Sequence, residues 1–338
     1  MKNTLLTLAF ASLAALSAKA QDAEMAQAVV NYKFTHLRDT TQKDKPYTEA
    51  MVLFLGQTSS VYRSYDKKLQ DALMRKQMEQ QLAEQRGNSQ INIKGSSTRP
   101  LTRSEIFQFA AKNKMVRKEP VIMTTYLIEE DMPKINWKIT ADTASFGSLH
   151  CQKATGRFKG RDYTAWFCPD VPFHAGPWKL NGLPGLIVEA YDSKKEVEFK
   201  FESLEEVKPS EKPATTEAAA PAPGMGQGGV RMFTIGGDDP NADPNLIALP
   251  KEGVRASPKE FANLEEARKK DPQGFAKSQM AAAGMQVAPS GGGGTTNFVS
   301  GSSAGGGGGS VRSVSFSAGP GAGGASEINN PLELPEKK

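Results

Sequence analysis

The segment 149–168 constrains the fold of this chain more than any other, because a turn and a cysteine pair agree on one strand register there. A two-residue turn at Lys159-Gly160 fixes which residues face one another, and it places Cys151 opposite Cys168. Counted outward from the turn, the cysteines form a non-hydrogen-bonded pair, whose Cα atoms are about 4.5 Å apart and within disulfide range. We therefore predict a disulfide between the only two cysteines of the chain. Two buried thiols or a metal pair are the alternatives, although two cysteines alone are too few ligands for zinc.

The same register divides this hairpin into two faces of different chemistry. One face is apolar apart from its ends and is predicted to pack in the core. The other face is predicted to pair opposite charges, two threonines, and a lysine with a tryptophan in a cation–π contact. The core-facing residues are Gln152, Ala154, Gly156 and Phe158, opposite Phe167, Ala165, Tyr163 and Arg161; the pairs of the other face are Arg157–Asp162, Thr155–Thr164 and Lys153–Trp166.

Short runs of β-branched and aromatic residues elsewhere predict further strands. Two of these runs are joined across Gly56-Gln57-Thr58 as a hairpin. Because the runs follow one another closely and helical patterns are few, we predict an α+β fold with a curved antiparallel β-sheet and a few helices. The predicted strands are residues 29–35, 51–55, 60–65, 121–128, 135–141, 149–158, 161–168, 185–192 and 196–204.

An amphipathic helix is predicted from Lys67 to Gln85, where apolar residues recur with helical spacing. The segment 87–100 that follows it is loop-like. Thr102 and Glu105 have the spacing of a capping box and predict another short helix. The apolar face of the long helix is predicted to comprise Tyr65, Leu69, Ala72 and Leu73, with Met78 and Leu82 nearby.

A second helical region is predicted near the C-terminus. In the segment Ser257-Pro258-Lys259-Glu260, Ser is a helix cap, Pro stands at the first helical position and Glu follows three residues after the cap. Together these predict a helix of about three turns. Asp271-Pro272 is expected to begin a further helix.

The first twenty residues have the three parts of a secretory signal peptide. Lys2 supplies a positive charge, residues 5–18 are an apolar stretch, and Ala18-Lys19-Ala20 places small residues at the cleavage site. The stretch is shorter than the roughly 20 residues that span a bilayer. We therefore expect cleavage before about Gln21 and a location in the periplasm or another extracytoplasmic compartment, where disulfides form. No later segment is predicted to span a membrane.

Composition divides the rest of the chain. Residues 21–208 are predicted to form a β-rich core domain, and residues 257–283 a short helical segment. Residues 209–256 are an Ala/Pro/Gly-rich linker, and residues 284–328 are a Gly/Ser-rich segment predicted to be disordered, because such sequences bury too little apolar surface to order the backbone. Residues 329–338 regain apolar character and are predicted to return to the sheet.

A turn-rich segment follows the hairpin. Pro184 and Gly185 occupy the second and third positions of a predicted type II turn, in which Gly accepts a positive φ. Gly176-Pro177 predicts a second corner. The structural interpretation is two turns that lead into a core strand, and the functional alternative is an exposed aromatic contact surface formed by Phe173, His174 and Trp178.

These motifs carry a family resemblance. The residues Cys151-Gln152-Lys153-Ala154-Thr155, Gly160-Arg161, Tyr163, Ala165-Trp166 and Gly176-Pro177, with the hexapeptide Gly182-Leu183-Pro184-Gly185-Leu186-Ile187, resemble the GLPGLI family of exported bacterial envelope proteins. The close likeness covers about residues 135–192 and weaker likeness extends to the terminal NNPLEL. Cys168 stands where many relatives have Thr, so the family does not imply the disulfide. The resemblance implies an envelope location and a β-rich fold, and no activity.

Sequence signals for catalysis or cofactors are weak. The three histidines, His36, His150 and His174, have no metal-ligand spacing, and neither a nucleophile elbow nor a phosphate loop is present. The segment 239–245 alternates oxygen ligands, but prolines stand where a calcium loop needs Gly and Glu. We predict no catalytic residue, metal or cofactor.

The formal charge of +5, without a dense basic run, argues against a nucleic-acid partner. The function expected is therefore a non-enzymatic binding or scaffold module of the envelope, with another envelope protein as its partner. The alternatives are a carrier of lipid or another apolar ligand in a concave sheet and, less favoured, an uncharacterised hydrolase. A filled sheet face would favour the module, and an apolar cavity would favour the carrier.

Overall fold

The computed structural model describes residues 23–85, 90–94, 99–122, 124–207, 243–251, 253–282, 286–287, 295–299, 313–317 and 328–336. The predicted signal peptide and its cleavage point lie outside these residues, as does most of the predicted Ala/Pro/Gly-rich linker. The helices are α1 (Tyr65–Glu84), α2 (Pro258–Lys270) and α3 (Pro272–Ala282). The strands are β1 (Glu24–Met25), β2 (Ala28–His36), β3 (Tyr47–Leu55), β4 (Ser59–Ser64), β5 (Gln90–Lys94), β6 (Glu105–Phe109), β7 (Lys114–Val121), β8 (Thr124–Asp131), β9 (Lys138–Phe146), β10 (Leu149–Phe158), β11 (Arg161–Cys168), β12 (Leu186–Asp192), β13 (Val197–Glu206), β14 (Leu246–Ile247), β15 (Val254–Ala256), β16 (Gln286–Val287), β17 (Thr295–Val299) and β18 (Ser313–Ser317).

One open twelve-stranded sheet dominates the described part of the chain. Its strand order is β15-β8-β7-β6-β4-β3-β2-β13-β12-β11-β10-β9, so the N-terminal and C-terminal halves of the core join where β2 pairs with β13. Neighbours pair antiparallel except for the short parallel contact of β15 with β8. This mostly β arrangement with three α-helices is consistent with the predicted α+β class.

Most predicted strands are confirmed, including the β3–β4 and β10–β11 hairpins. The predicted strand 121–128 is confirmed over residues 124–128, which belong to β8, and is wrong at its beginning, because the chain turns there. Ile122 has a φ of +54°, β7 ends at Val121 and β8 begins at Thr124. The turn allows β7 and β8 to pair along their length. The run of apolar residues does not reveal this pairing, because it depends on residues of another strand.

The short helix predicted from the capping-box spacing of Thr102 and Glu105 is also wrong. Residues 105–109 form β6, which pairs with β4 and β7. The Thr102 amide and hydroxyl both donate to Glu49, at 3.0 and 2.6 Å, and Glu105 lies 2.8 Å from Lys118. Sheet pairing and these contacts therefore replace the local cap.

The other helix predictions are confirmed. In α2, the Ser257 hydroxyl accepts from the Glu260 amide while the Glu260 carboxylate accepts from the Ser257 amide, which is the predicted capping box. Helix α3 follows at Pro272. Helix α1 is present, but its predicted apolar face is not buried, as described below.

Parts of the predicted linkers pair with other strands. Within residues 243–256, β14 pairs with β1 and β15 pairs with β8, so the linker predicted at 209–256 ends earlier than expected. Ile247 is buried against Val52 and Phe54, and this apolar contact is what orders the segment. Further along, β16, β17 and β18 form a four-stranded sheet with β5, which lies in the segment predicted to be a loop.

The main core covers one face of the large sheet. Aromatic rings from both halves meet there: Phe199 stacks on Phe34 at 5.1 Å between ring centroids and on Trp178 at 6.3 Å. Leu180 and Leu183, from the segment between β11 and β12, are buried in the same cluster. This face is therefore filled by side chains of the chain itself.

Candidate functional site

The β10–β11 hairpin has the register predicted from its turn, with Gln152 opposite Phe167 and Arg157 opposite Asp162. The cysteines are joined by a disulfide with a Cα–Cα distance of 4.1 Å, and both are buried. The predicted pair Arg157–Asp162 is present at 3.1 Å. Lys153 lies opposite Trp166 as predicted, but its ammonium group binds Asp142 at 3.0 Å.

The hexapeptide 182–187 determines how the chain enters β12. Its residues Leu183, Leu186 and Ile187 are buried in the main core. Gly185 has a φ of +157°, unlike the roughly +80° of the predicted type II turn. A Cβ atom there would lie 2.4 Å from the backbone oxygen of Cys168. The motif therefore acts through packing and close backbone approach, and it presents no ligand group.

The predicted contact surface of Phe173, His174 and Trp178 is corrected by the structure. Trp178 is only 7% exposed, because its ring packs between Phe158 and Phe199. Phe173 is half-buried against the core, and His174 is exposed. The three side chains do not form a common exposed surface.

Arg161 forms the most extensive polar site of the described residues. Its side chain is 2% exposed and binds the Asp192 carboxylate at 2.7 Å and the Glu196 carboxylate at 3.2 Å. Asp192 is held in place by the amides of Glu196 and Val197. A buried charge is stable only with such partners. The sequence signal was present, since Arg161 is a charge at the end of a predicted core face, but its partners could not be identified.

The C-terminal segment 328–336 completes this site. Arg161 donates to the side-chain oxygen of Asn330 at 2.7 Å and to the carbonyl oxygens of Pro331 and Leu332 at 2.8 and 3.1 Å. The predicted return of the tail to the sheet is thus observed, although the tail does not form a strand. We call the surface that holds it the tail groove: His36, Leu37, Arg38, Lys159, Arg161 and Lys179, with Glu196.

His36 lies at one end of the tail groove. Its Nε2–H donates to the Asn330 carbonyl oxygen at 2.8 Å. Burial, followed by the charges of Arg38 and Arg161, lowers the pKa of His36 to about 4, although the bond to Asn330 acts in the opposite direction. The imidazole is therefore neutral at pH 7 and acts as a hydrogen-bond donor.

Glu49 is a second buried carboxylate, 2% exposed, on β3. It accepts from the hydroxyls of Tyr47 at 2.6 Å and Thr102 at 2.6 Å, from the Thr102 amide at 3.0 Å, and from Ser64. Burial and the hydrogen bond to Glu49 raise the pKa of Tyr47 to about 12. A carboxylate with four donors is suited to holding these elements together and poorly suited to accepting a proton from a substrate.

Helix α1 presents its apolar stripe to solvent. Tyr65, Leu69 and Leu73 are 44%, 47% and 62% exposed, and they recur every four residues along about 12 Å of helix. Asp66, in the first turn of the helix, accepts from the Ala50 amide of β3 at 3.1 Å and ties this end of the helix to the sheet. We call these three residues the outer stripe. The sequence predicted this apolar face, and the structure shows that it is exposed.

Other functional features are limited in the described residues. No group of three or more His, Cys, Asp and Glu side chains there could hold a metal ion. Two shallow grooves, of about 340 and 390 Å³, are open to solvent. One lies beside α2 and is lined by Arg117, Phe261 and Glu265, and the other lies on the polar face of the β10–β11 hairpin. None of the helices described is both long and apolar enough for a membrane span.

Comparison with known proteins gives a short family match. The family model "Protein of unknown function (Porph_ging)" matches residues 158–189, which include Arg161, Cys168 and the hexapeptide. No curated protein matches the chain. Two solved structures of PNGF-II, in space groups C2 and P21, are similar at 11% identity, with TM-scores of 0.38 and 0.39 over 54% of this chain. This chain spans only 28% and 29% of the length of those proteins.

Proposed function

We propose that this protein is an extracytoplasmic binding module without catalytic activity, which contacts an envelope protein through the outer stripe of α1. The observation that carries this proposal is the exposure of Tyr65, Leu69 and Leu73 along one face of the helix. Apolar side chains at helical spacing are the anchors by which a helix is recognised in protein complexes. Lys68 and Lys76, both exposed, lie next to the stripe.

The alternatives draw less support from the same residues. A carrier needs an apolar cavity, whereas the apolar face of the large sheet is occupied by Trp178, Leu180 and Leu183. A hydrolase needs an available base, whereas the buried carboxylates of Glu49 and Asp192 are already fully engaged in hydrogen bonds. These points favour a module that acts through its surface.

The proposed location rests on the signal-peptide pattern of residues 1–20, with support from the disulfide. The hexapeptide, which lies within the family match, is also the basis for proposing membership of the GLPGLI envelope family. N-terminal sequencing of the protein from the native cell envelope should begin at or near Gln21. An intact N-terminus on protein recovered from the cytoplasm would contradict the location.

The outer stripe can be tested by site-specific photocrosslinking in intact cells. A crosslinker at position 69 or 73 should give a discrete complex with one envelope protein, and a crosslinker at the exposed Lys194, in the turn before β13, should not. In the protein without a crosslinker at these positions, the triple substitution Tyr65→Ser, Leu69→Gln and Leu73→Gln should abolish the complex. Because surface substitutions usually change stability by less than about 0.5 kcal/mol, its unfolding curve should stay close to that of the wild type.

Two results would count against this proposal. If the triple variant unfolds, the stripe is structural. If Lys194→Ala weakens the complex as much as the triple variant does, the stripe does not determine binding.

A further inference from the structure

The tail groove holds residues 329–334 mainly through their backbone. Five backbone groups of this short segment are hydrogen-bonded to the rest of the protein, at both ends and in the middle. Backbone recognition of this kind suits an extended peptide, because it requires no secondary structure in the ligand. The bonds are Asn330 N to Arg38 O (3.0 Å), His36 Nε2 to Asn330 O (2.8 Å), Arg161 to Pro331 O (2.8 Å) and to Leu332 O (3.1 Å), and Leu334 N to Lys159 O (3.0 Å).

Side chains of the tail add sequence selectivity, and three of them belong to residues 330–333. The Asn330 side chain is bound on both its polar atoms, since its oxygen accepts from Arg161 at 2.7 Å and its nitrogen donates to Leu37 O at 2.7 Å. Glu333 lies between two lysines, 2.8 Å from Lys179 and 3.2 Å from Lys159. Leu332 packs against the main core. An Asn-Pro-Leu-Glu sequence therefore satisfies groups that another sequence would leave unpaired.

The residues that form the tail groove belong to the core domain. Arg161 is oriented by Asp192 and Glu196, which belong to β12 and to the turn before β13. His36 and Lys159 lie on β2 and in the β10–β11 turn, both within the large sheet. The tail is separated in sequence from α3 by residues 283–327. The site is thus built by the core domain, and the tail enters it as a distant segment.

We propose that the tail groove is a recognition site for extended peptides of Asn-Pro-Leu-Glu chemistry, and that residues 328–336 are its resident, exchangeable ligand. The same segment of a second copy, or of a partner with the same sequence chemistry, can occupy the groove when the resident tail leaves. While the tail remains attached to the chain, it competes at a high effective concentration and keeps the groove occupied. This inference concerns a different surface from the outer stripe and stands independently of it.

The test uses the full chain with a specific protease site inserted within residues 319–325, so that cutting frees the tail from its covalent connection. A fluorescently labelled peptide of residues 328–336 is then added, and its anisotropy is followed. We expect the peptide to bind the cut protein and to bind the uncut protein at least about tenfold more weakly. Circular dichroism after removal of the released tail should show that the core domain remains folded.

Peptide variants test the specificity without altering the protein. The Asn330→Ala peptide should bind at least about tenfold more weakly, because it leaves the Arg161 guanidinium with an unmatched donor. The Glu333→Gln peptide should be weakened as well, and more at low salt than at high salt. The matched control is Ile328→Ser, since Ile328 is 53% exposed, and this peptide should bind like the wild type.

Three results would overturn the proposal. Failure of the labelled peptide to enter the cut protein would show that the tail is a permanent structural element. Unfolding of the core when the tail is removed would show the same. Equal binding of the Asn330→Ala and wild-type peptides would show that the groove does not recognise this sequence.

Discussion

The Arg161 guanidinium and the Asn330 side-chain oxygen lie 2.7 Å apart, although 169 positions separate them in sequence. Arg161 is the first residue of β11 in the core hairpin, and Asn330 belongs to the C-terminal tail. The same guanidinium binds Asp192, so one buried cation joins the hairpin, β12 and the tail. This connection makes Arg161 the residue whose loss should affect the protein most.

Replacement of Arg161 should be strongly destabilising. Arg161→Met leaves the buried Asp192 carboxylate without its cation, and breaking a buried pair in this way costs about 3–5 kcal/mol. The control is Arg157→Ala on the same hairpin, whose pair with Asp162 is about half exposed and contributes about 1 kcal/mol or less. Urea denaturation of both variants measures the difference. Equal effects would mean that burial of the Arg161 pair has no energetic consequence.

Removal of the disulfide should destabilise the fold without abolishing it. The bond joins residues 17 apart in sequence, and in the chain-entropy model a loop of this size contributes about 3 kcal/mol. The stabilisation by the disulfide should be smaller here, because the hairpin already holds Cys151 opposite Cys168. The double Cys→Ala variant should therefore melt cooperatively at a lower temperature. Peptide mapping of the protein from its native cells without reduction should recover the linked pair, and two free thiols would contradict it.

Gly185→Ala tests the role of the hexapeptide as a packing motif. The added Cβ would overlap the backbone at Cys168, so the entry to β12 must shift, and we expect a loss above about 3 kcal/mol. Gly147→Ala is the matched control, because Gly147 also has a positive φ of +62° but nothing lies within 4 Å of its Cβ position. Its cost should be only the backbone strain of about 1–2 kcal/mol. Thermal denaturation distinguishes the two variants, and similar losses would argue against the close approach.

Stability should depend on the protonation of His36. Its pKa is about 4 in the folded protein and near 6.5 when unfolded, so the unfolded chain binds more protons between these values. The contribution is complete above about pH 6.5 and is lost as the pH falls towards 4. His36→Gln keeps a donor for the Asn330 carbonyl but cannot titrate.

The wild type should therefore lose roughly 1–3 kcal/mol more than His36→Gln when the pH is lowered from 7.5 to 4.5. Urea denaturation at both pH values measures this difference. The effect of carboxylates elsewhere is the same in both proteins and cancels in the comparison. Parallel pH profiles of the two proteins would show that His36 is not buried in a neutral form.

Local sequence patterns were sufficient for much of the secondary structure and for the hairpin register. The turn at Lys159-Gly160 predicted the alignment of Cys151 with Cys168, and the Ser257 cap predicted the start of α2. These features depend on neighbouring residues, whose spacing and backbone preferences are visible in one short segment. They therefore required no knowledge of the rest of the chain.

Only the tertiary structure decided which side chains are buried and which face solvent. Periodicity predicted the stripe of Tyr65, Leu69 and Leu73, but only the folded chain shows that these side chains are exposed. Trp178 appeared as a turn residue and is buried by Phe158 and Phe199, which come from other strands.

The tail groove is the clearest case, because the partners of Arg161 come from segments far apart in the chain. A buried charge on a predicted core face indicates that partners exist, but a pattern in one segment cannot identify them. Long-range hydrogen bonds and ion pairs form only when the sheet brings those segments together, and for this reason the sequence determined the elements while the folded sheet determined the site.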